Sequence, residues 1–174
     1  MTIVTMRPSS TEYAAFYASY VASVPDGDIV EMLESQHRET LEALRGISEE
    51  RAGFRYAPEK WSIREVVSHL SDAERVFSHR ALYFARGGAE ALPSMDEGNW
   101  VALSNADRRT LPDLAAEFAA VRGATVALFR SFTEDDFERA GIASSNKVSV
   151  RALAWIMAGH ERHHLGILRE RYGV

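Results

Sequence analysis

Within the stretch SVRALAWIMAGHERHHLGIL at residues 149–168, His160 and His164 stand four residues apart. On a helix that spacing puts both imidazoles on one face with Cβ atoms about 6 Å apart, close enough for both to reach one ion at about 2.0–2.1 Å. At about 100° per residue, Leu153, Ile156, Met157, Ile167 and Leu168 fall in the same third of the circumference, so the pair lies in an apolar stripe. One inward histidine is ordinarily a hydrogen-bonded core residue. Two, buried without partners, would cost on the order of 2 kcal/mol or more apiece. A divalent ion or a buried polar network must therefore meet them. His69 is the candidate third ligand, because it borders the stripe Ile63, Val66, Val67, Leu70, Ala73 and Phe77 of another helical segment. Three neutral imidazoles leave a coordination position open for water or substrate, which is the arrangement of a catalytic rather than a structural zinc site. The chain has no cysteine, which removes thiolate ligands, disulfides and a cysteine nucleophile.

Residues 160–164, HERHH, also fit the H-E-x-x-H pattern of zinc proteases, with Glu161 in the general-base position. Such proteases usually draw a third ligand from beyond the motif, and the remaining LGILRERYGV contains Glu170 but no histidine. Protease activity is thus not expected. Glu161 remains a candidate catalytic proton carrier, with a carboxylate at the edge of the bundle as the alternative. His163 lies at the margin of the stripe and reads as a surface residue or one behind the ligands. His37 and His79 read as solvated. Asp72, one turn from His69, could orient an imidazole through its free N–H or simply face solvent.

These residues need long helices to position them, and apolar spacings of three and four dominate the chain. A first helical region is expected over about Thr11 to Arg45, broken near Pro25, Asp26 and Gly27, with Ile29, Leu33, Leu41 and Leu44 inward. Ser62 and Glu65 form an S-x-x-E capping box that starts a second helix, which runs to about Arg86 and stops at Gly87 and Gly88. The connection GGAEALPSMDEGNWVALSNADRR is too long for a simple hairpin loop and has the length of a lid or rim. Thr110 caps a third helix with Pro112 near its start, reaching about Phe132. TEDDF predicts a short extra turn, GIASSNKV a loop, and Ser149 the cap of a last helix ending at Gly173. The expectation is an all-α chain: one four-helix-bundle domain over residues 1–174 with long inter-helix connections.

Composition agrees with this reading. With 174 residues and 46% hydrophobic content the chain is long enough for one core. The balance of 25 acidic to 20 basic residues, without a basic block, argues against nucleic acid and anionic membranes as partners. The N-terminal MTIVTMRPSS has no apolar leader segment, and no run of about 18 apolar residues occurs, so a cytoplasmic location is expected.

Three stretches resemble the DinB-like superfamily of bacterial helical bundles, including its YfiT-type members: KWSIREVVSHLSDAERVF at 60–77, LPSMDEGNWV at 92–101, and SVRALAWIMAGHERHHLGIL at 149–168. The resemblance covers about Leu33 to Tyr172. It implies a divalent ion, zinc or nickel foremost, on His69, His160 and His164. It also implies a bundle that often dimerises and an activity transferring a low-molecular-weight thiol to an electrophilic small molecule. That chemistry suits a protein without cysteine, since the sulfur would come from the thiol co-substrate and the ion would hold it as thiolate. Hydrolysis by metal-bound water is the alternative reaction, and a non-catalytic stress-response or binding protein stabilised by its metal is the alternative class. Asp96, Glu97, Asn99 and Trp100 could rim the pocket, with Trp61 packed beside it.

Overall fold

The computed structural model describes residues 6–174; the first five residues of the N-terminal segment, expected to carry no leader, lie outside them. Among the described residues four long helices form the bundle: α2 (Ile29–Arg45), α4 (Ile63–Ala85), α6 (Leu111–Arg130) and α8 (Val150–Tyr172), and four short ones, α1 (Ala18–Ser23), α3 (Glu49–Ala52), α5 (Glu97–Leu103) and α7 (Glu134–Glu138), fill the connections. α4 packs against both α6 and α8, and α2 closes the bundle against the same two helices. No helix among the described residues is long and apolar enough to cross a membrane.

Local chemistry sets the helix ends. Ser62 Oγ accepts from the Glu65 amide at 3.1 Å while the Glu65 carboxylate accepts from the Ser62 amide at 2.8 Å, so two orphan donors of α4 are satisfied reciprocally. Thr110 and Ser149 cap α6 and α8 in the same sense, accepting from Asp113 and Ala152. Gly173, at φ +68°, closes α8 in the left-handed conformation that glycine adopts without steric penalty. The break at residues 25–27 is present, but the stretch before it is only a 3₁₀ turn (Ala15–Tyr17) and the short α1. Arg7 seals that break: its guanidinium donates to the carbonyls of Val21 (2.6 Å) and Val24 (2.7 Å) at the C-terminal end of α1, and it pairs with Asp26.

The segment GIASSNKV is not a loop. It forms an antiparallel hairpin of β1 (Ala140–Ala143) and β2 (Asn146–Ser149), with Ala140 opposite Ser149. Ser144 and Ser145 both have positive φ, 52° and 63°, the shape of a turn usually made by Asn-Gly, so the residue signal for a hairpin is missing. Leu92 joins β1 through two backbone hydrogen bonds, which anchors the long connection between α4 and α6 to the hairpin.

The apolar core comes in two parts. One surrounds Phe77, Phe84, Phe129, Phe132 and Trp155; the other surrounds Ile63, Val67, Leu111, Leu114, Leu165 and Leu168. Between them, across the middle of α2, α4, α6 and α8, lies a layer of buried polar side chains: Gln36, Thr40, His69, Glu74, Arg122, His160, Glu161 and His164.

Candidate metal centre

α4 brings His69, and α8 brings His160 and His164 one turn apart, into the polar layer, where all three side chains are buried. The Nε2 atom of His160 lies 3.0 Å from Nε2 of His69 and 3.1 Å from Nε2 of His164, and one ligand nitrogen from each ring lies within 4.8 Å of the other two. Burial pushes the His69 imidazole down to about 4 and the His164 imidazole to about 3; His160 too is lowered well below the usual imidazole value, again chiefly by burial, with the other histidines adding. At neutral pH the rings are therefore neutral, the state in which imidazole ligates a metal.

Neutral rings cannot satisfy one another here. Nε2 of His160 has either one lone pair or one N–H, so it can complete one good N–H···N bond and leaves the second close approach without a matching donor or acceptor. Three lone pairs directed at one ion remove the conflict, and nitrogens about 2.0–2.1 Å from a common tetrahedral ion lie about 3.3 Å apart, near the separations found. The donor set is one that zinc and nickel accept, so the residues fit a divalent ion.

The rings are set in place mainly by packing. Trp61 lies 4.8 Å from the His69 ring and stacks at 22° on His164, 6.4 Å away, and the Trp61 carbonyl accepts from Tyr172 Oη at 2.6 Å. Nδ1 of His69 is buried without a hydrogen-bond partner. Phe77 and Tyr20 meet the His160 ring edge-on at 5.8 and 5.7 Å. Tyr20 can approach because residue 159 is glycine: a Cβ there would stand 2.2 Å from the Tyr20 carbonyl oxygen.

A cavity of about 320 Å³ opens onto His69 and His160, lined also by Tyr17, Tyr20, Phe77, Arg80 and Met95. Its only lining carboxylate among the described residues is Glu97. Of the expected rim residues, Glu97 reaches this cavity, while Trp100 lines a neighbouring one of about 330 Å³ with Asp72 and Arg75. The Asp96 side chain caps α5 by accepting from the Asn99 amide. The Asn99 side chain is exposed.

Glu161 departs from the general-base expectation. It follows His160 by one residue and so turns about 100° away from it. Its carboxylate accepts from Gln36 Nε2 at 2.5 Å and from Thr40 Oγ1, and it pairs with Arg122 at 2.8 Å. Arg122, fully buried, also holds Glu74 bidentately at 2.7 and 2.8 Å and donates to the Leu33 carbonyl. Glu161 thus belongs to a network tying together all four long helices. Asp72 pairs with Arg75 rather than with an imidazole. His163 and His79 are exposed as expected, but His37 is half-buried against Phe118, with Nε2 unpartnered. Arg80, Tyr17 and Tyr20 were not expected at the site. Arg80 alone carried a signal, as a charged residue about 20° from His69 on the inward face of its helix.

Residues 32–168 match the DinB superfamily. A protein of Geobacillus thermodenitrificans, provisionally described as a metal-dependent hydrolase, is 30% identical over 149 residues, covering 78% of this chain and 82% of its own. Among solved structures, YfiT from Bacillus subtilis, described as a probable metal-dependent hydrolase with an unusual four-helix bundle topology, superposes with a TM-score of 0.71. It is 21% identical, over 83% of this chain and 86% of its own. The mycothiol-dependent maleylpyruvate isomerase superposes with a TM-score of 0.67 at 10% identity, over 83% of this chain and 61% of its own. The likenesses to YfiT and to the isomerase establish a shared helical-bundle fold.

Proposed function

The chain belongs to the DinB superfamily, and from that premise we propose that it is a metal-dependent hydrolase whose divalent ion, zinc or nickel, is held by His69, His160 and His164. The observation that carries this reading is the convergence of three neutral Nε2 atoms, at 3.0 and 3.1 Å from the central one, beside a cavity. Such an ion, when bound, supplies an electrophilic centre and an acidified water near neutral pH. The protein's own residues do the rest. Tyr17, Tyr20 and Phe77 wall the cavity with aromatic surface and limit water, and Glu97 is the carboxylate positioned to take up a proton at the open side. Glu161 has no part in this, since its oxygens are engaged elsewhere.

The curated relative's description supports hydrolysis over the thiol transfer favoured by sequence resemblance. Thiol transfer would use the same open position, so it enters as an arm of the assay. The test is elemental analysis of untagged protein beside His160→Ala, followed by a panel of esters and amides with and without a low-molecular-weight thiol. About one metal per chain, lost in the variant, with thiol-independent turnover, is expected. Turnover only with thiol would replace hydrolysis by transfer, and no metal in the wild type after incubation with zinc or nickel would overturn the proposal.

A further inference from the structure

The cavity that opens on His69 and His160 also contains a buried cation without a counter-ion. Arg80 is 4% exposed and lines both this cavity and its neighbour. Its Nη2 donates to the Pro93 carbonyl at 2.7 Å and to Ser144 Oγ at 3.0 Å, both neutral acceptors. Among the described residues no carboxylate lies within ion-pair distance of it, whereas Arg122, the other deeply buried arginine of the bundle, has two. A guanidinium carries five N–H donors in a planar fork, and besides Pro93 and Ser144 the Tyr17 phenol, a further neutral group, takes a hydrogen bond from it. The Tyr17 phenol is near enough to feel the charge: burial pushes its pKa up and the Arg80 cation pulls against that rise. Taking a cation out of water without an anion is costly, and proteins ordinarily pair it.

Within this cavity we infer that Arg80 receives an oxyanion, a carboxylate or phosphate, carried by the substrate at the end remote from the reacting bond. The location rests on the hydrolase reading; the anion site itself does not. Cζ of Arg80 is 6.0 Å from the centre of the Phe77 ring, and that ring is 5.8 Å from the centre of His160. The separation of cation and histidine therefore cannot exceed those two lengths end to end, a gap that a single ring or a short chain spans. The volume of about 320 Å³ is at the small end of ligand pockets. Phe77, between the two groups, offers a face to the apolar middle of such a molecule. Planar bidentate capture of carboxylate or phosphate is the interaction for which arginine, unlike lysine, is shaped. Glu97 lines the same cavity from an exposed position, where solvent screens its repulsion of an anion.

Because anion binding needs neither metal nor turnover, it can be measured directly. Isotope-labelled protein would be titrated with benzoate, with its neutral analogue benzamide, and with inorganic phosphate, following the arginine Nε–Hε resonances at constant ionic strength. Saturable displacement of the Arg80 resonance by benzoate but not benzamide is expected, or by phosphate if the natural group is a phosphate. Affinity should fall about tenfold or more in Arg80→Gln. Arg80 also ties the long connection to the hairpin, so Arg80→Gln could fail to fold. Arg80→Lys, which keeps the charge and loses the fork, should then still bind several-fold more weakly. No saturable binding of either anion, equal binding of benzoate and benzamide, or undiminished binding in a folded variant would overturn the inference. If anions bind through Arg80 but no metal binds, the hydrolase reading alone fails.

Discussion

Replacing Glu161 by glutamine separates the two roles that position can have. The carboxylate takes donors from Gln36, Thr40 and Arg122 inside the bundle. An amide keeps one acceptor oxygen and turns an N–H toward donors on its other side, so at least one buried donor loses its acceptor and Arg122 loses one of its two charges. Breaking a buried ion pair on one side costs about 3–5 kcal/mol, and a buried donor left unsatisfied about 1–3 kcal/mol. A loss of about 3–5 kcal/mol is a large share of the roughly 5–15 kcal/mol of a typical domain. For a chain of this size it corresponds to a drop in melting temperature of roughly 6–20 °C. The assay is denaturant unfolding of the metal-free protein, with the midpoint lowered and the slope unchanged, followed by metal stoichiometry on the folded variant. Stoichiometry should equal that of the wild type. A Glu161→Gln protein that unfolds like the wild type but loses metal or turnover would refute the assignment of Glu161 to the helix-linking network and return it to the metal centre.

Three further outcomes follow from the same geometry. Adding zinc or nickel at about a hundredfold excess over its dissociation constant should stabilise the wild type by about 2.7 kcal/mol, read as a rise in melting temperature of roughly 5–11 °C, and leave His160→Ala unmoved. Gly159→Ala places a methyl group 2.2 Å from the Tyr20 carbonyl oxygen, so α1 must shift. A loss of about 1–3 kcal/mol is expected, with faster amide exchange in α1. The Tyr172 phenol is pushed up to about 12, first by burial and then by Tyr56, with Arg55 opposing. An acid whose pKa is raised on folding contributes stability fully below its unfolded value near 10 and loses it as pH rises toward 12. Alkaline melting should therefore be steeper in the wild type than in Tyr172→Phe, and parallel curves would count against this titration.

The parts of the fold that could be read along the chain are those written by neighbours in sequence. Ser62 with Glu65, Thr110 and Ser149 act on amides three residues away, and His160 with His164 lie one turn apart, so local period and local chemistry suffice. Glu161 could not be assigned that way. Its register faces it away from His160, but its partners Thr40 and Gln36 are 121 and 125 residues distant, and nothing near Glu161 announces them. Arg122 is equally silent, being the one charged residue in the mostly apolar stretch 118–129 of its helix. The hairpin escaped because Ser144 and Ser145 adopt positive φ without the Asn or Gly that usually marks it. Arg80 lay on the correct face of its helix from the start, yet a long cation at such a position usually reaches solvent along its own stem, and only the packed structure shows that this one does not.

The polar layer holds two clusters that differ in how completely they are satisfied, and that difference separates structure from chemistry. Around Arg122 each carboxylate meets donors, each donor of Gln36 and Thr40 used there meets an oxygen, and the partners come from all four long helices. A cluster whose charges are all paired internally, with Gln36 Oε1 its one buried atom without a partner, has no charge left to bind and acts to fix the register of the helices. Around His160 the balance is open: three neutral nitrogens crowd one point where donors and acceptors cannot all be matched, and across the adjoining cavity Arg80 meets neutral acceptors and no anion. Burial without satisfaction is costly to maintain in a resting fold. The two deficits are of opposite kind, converging nitrogens without a cation at one end and a cation without an anion at the other, so a cation at the histidines and an anionic substrate group at Arg80 would complete both.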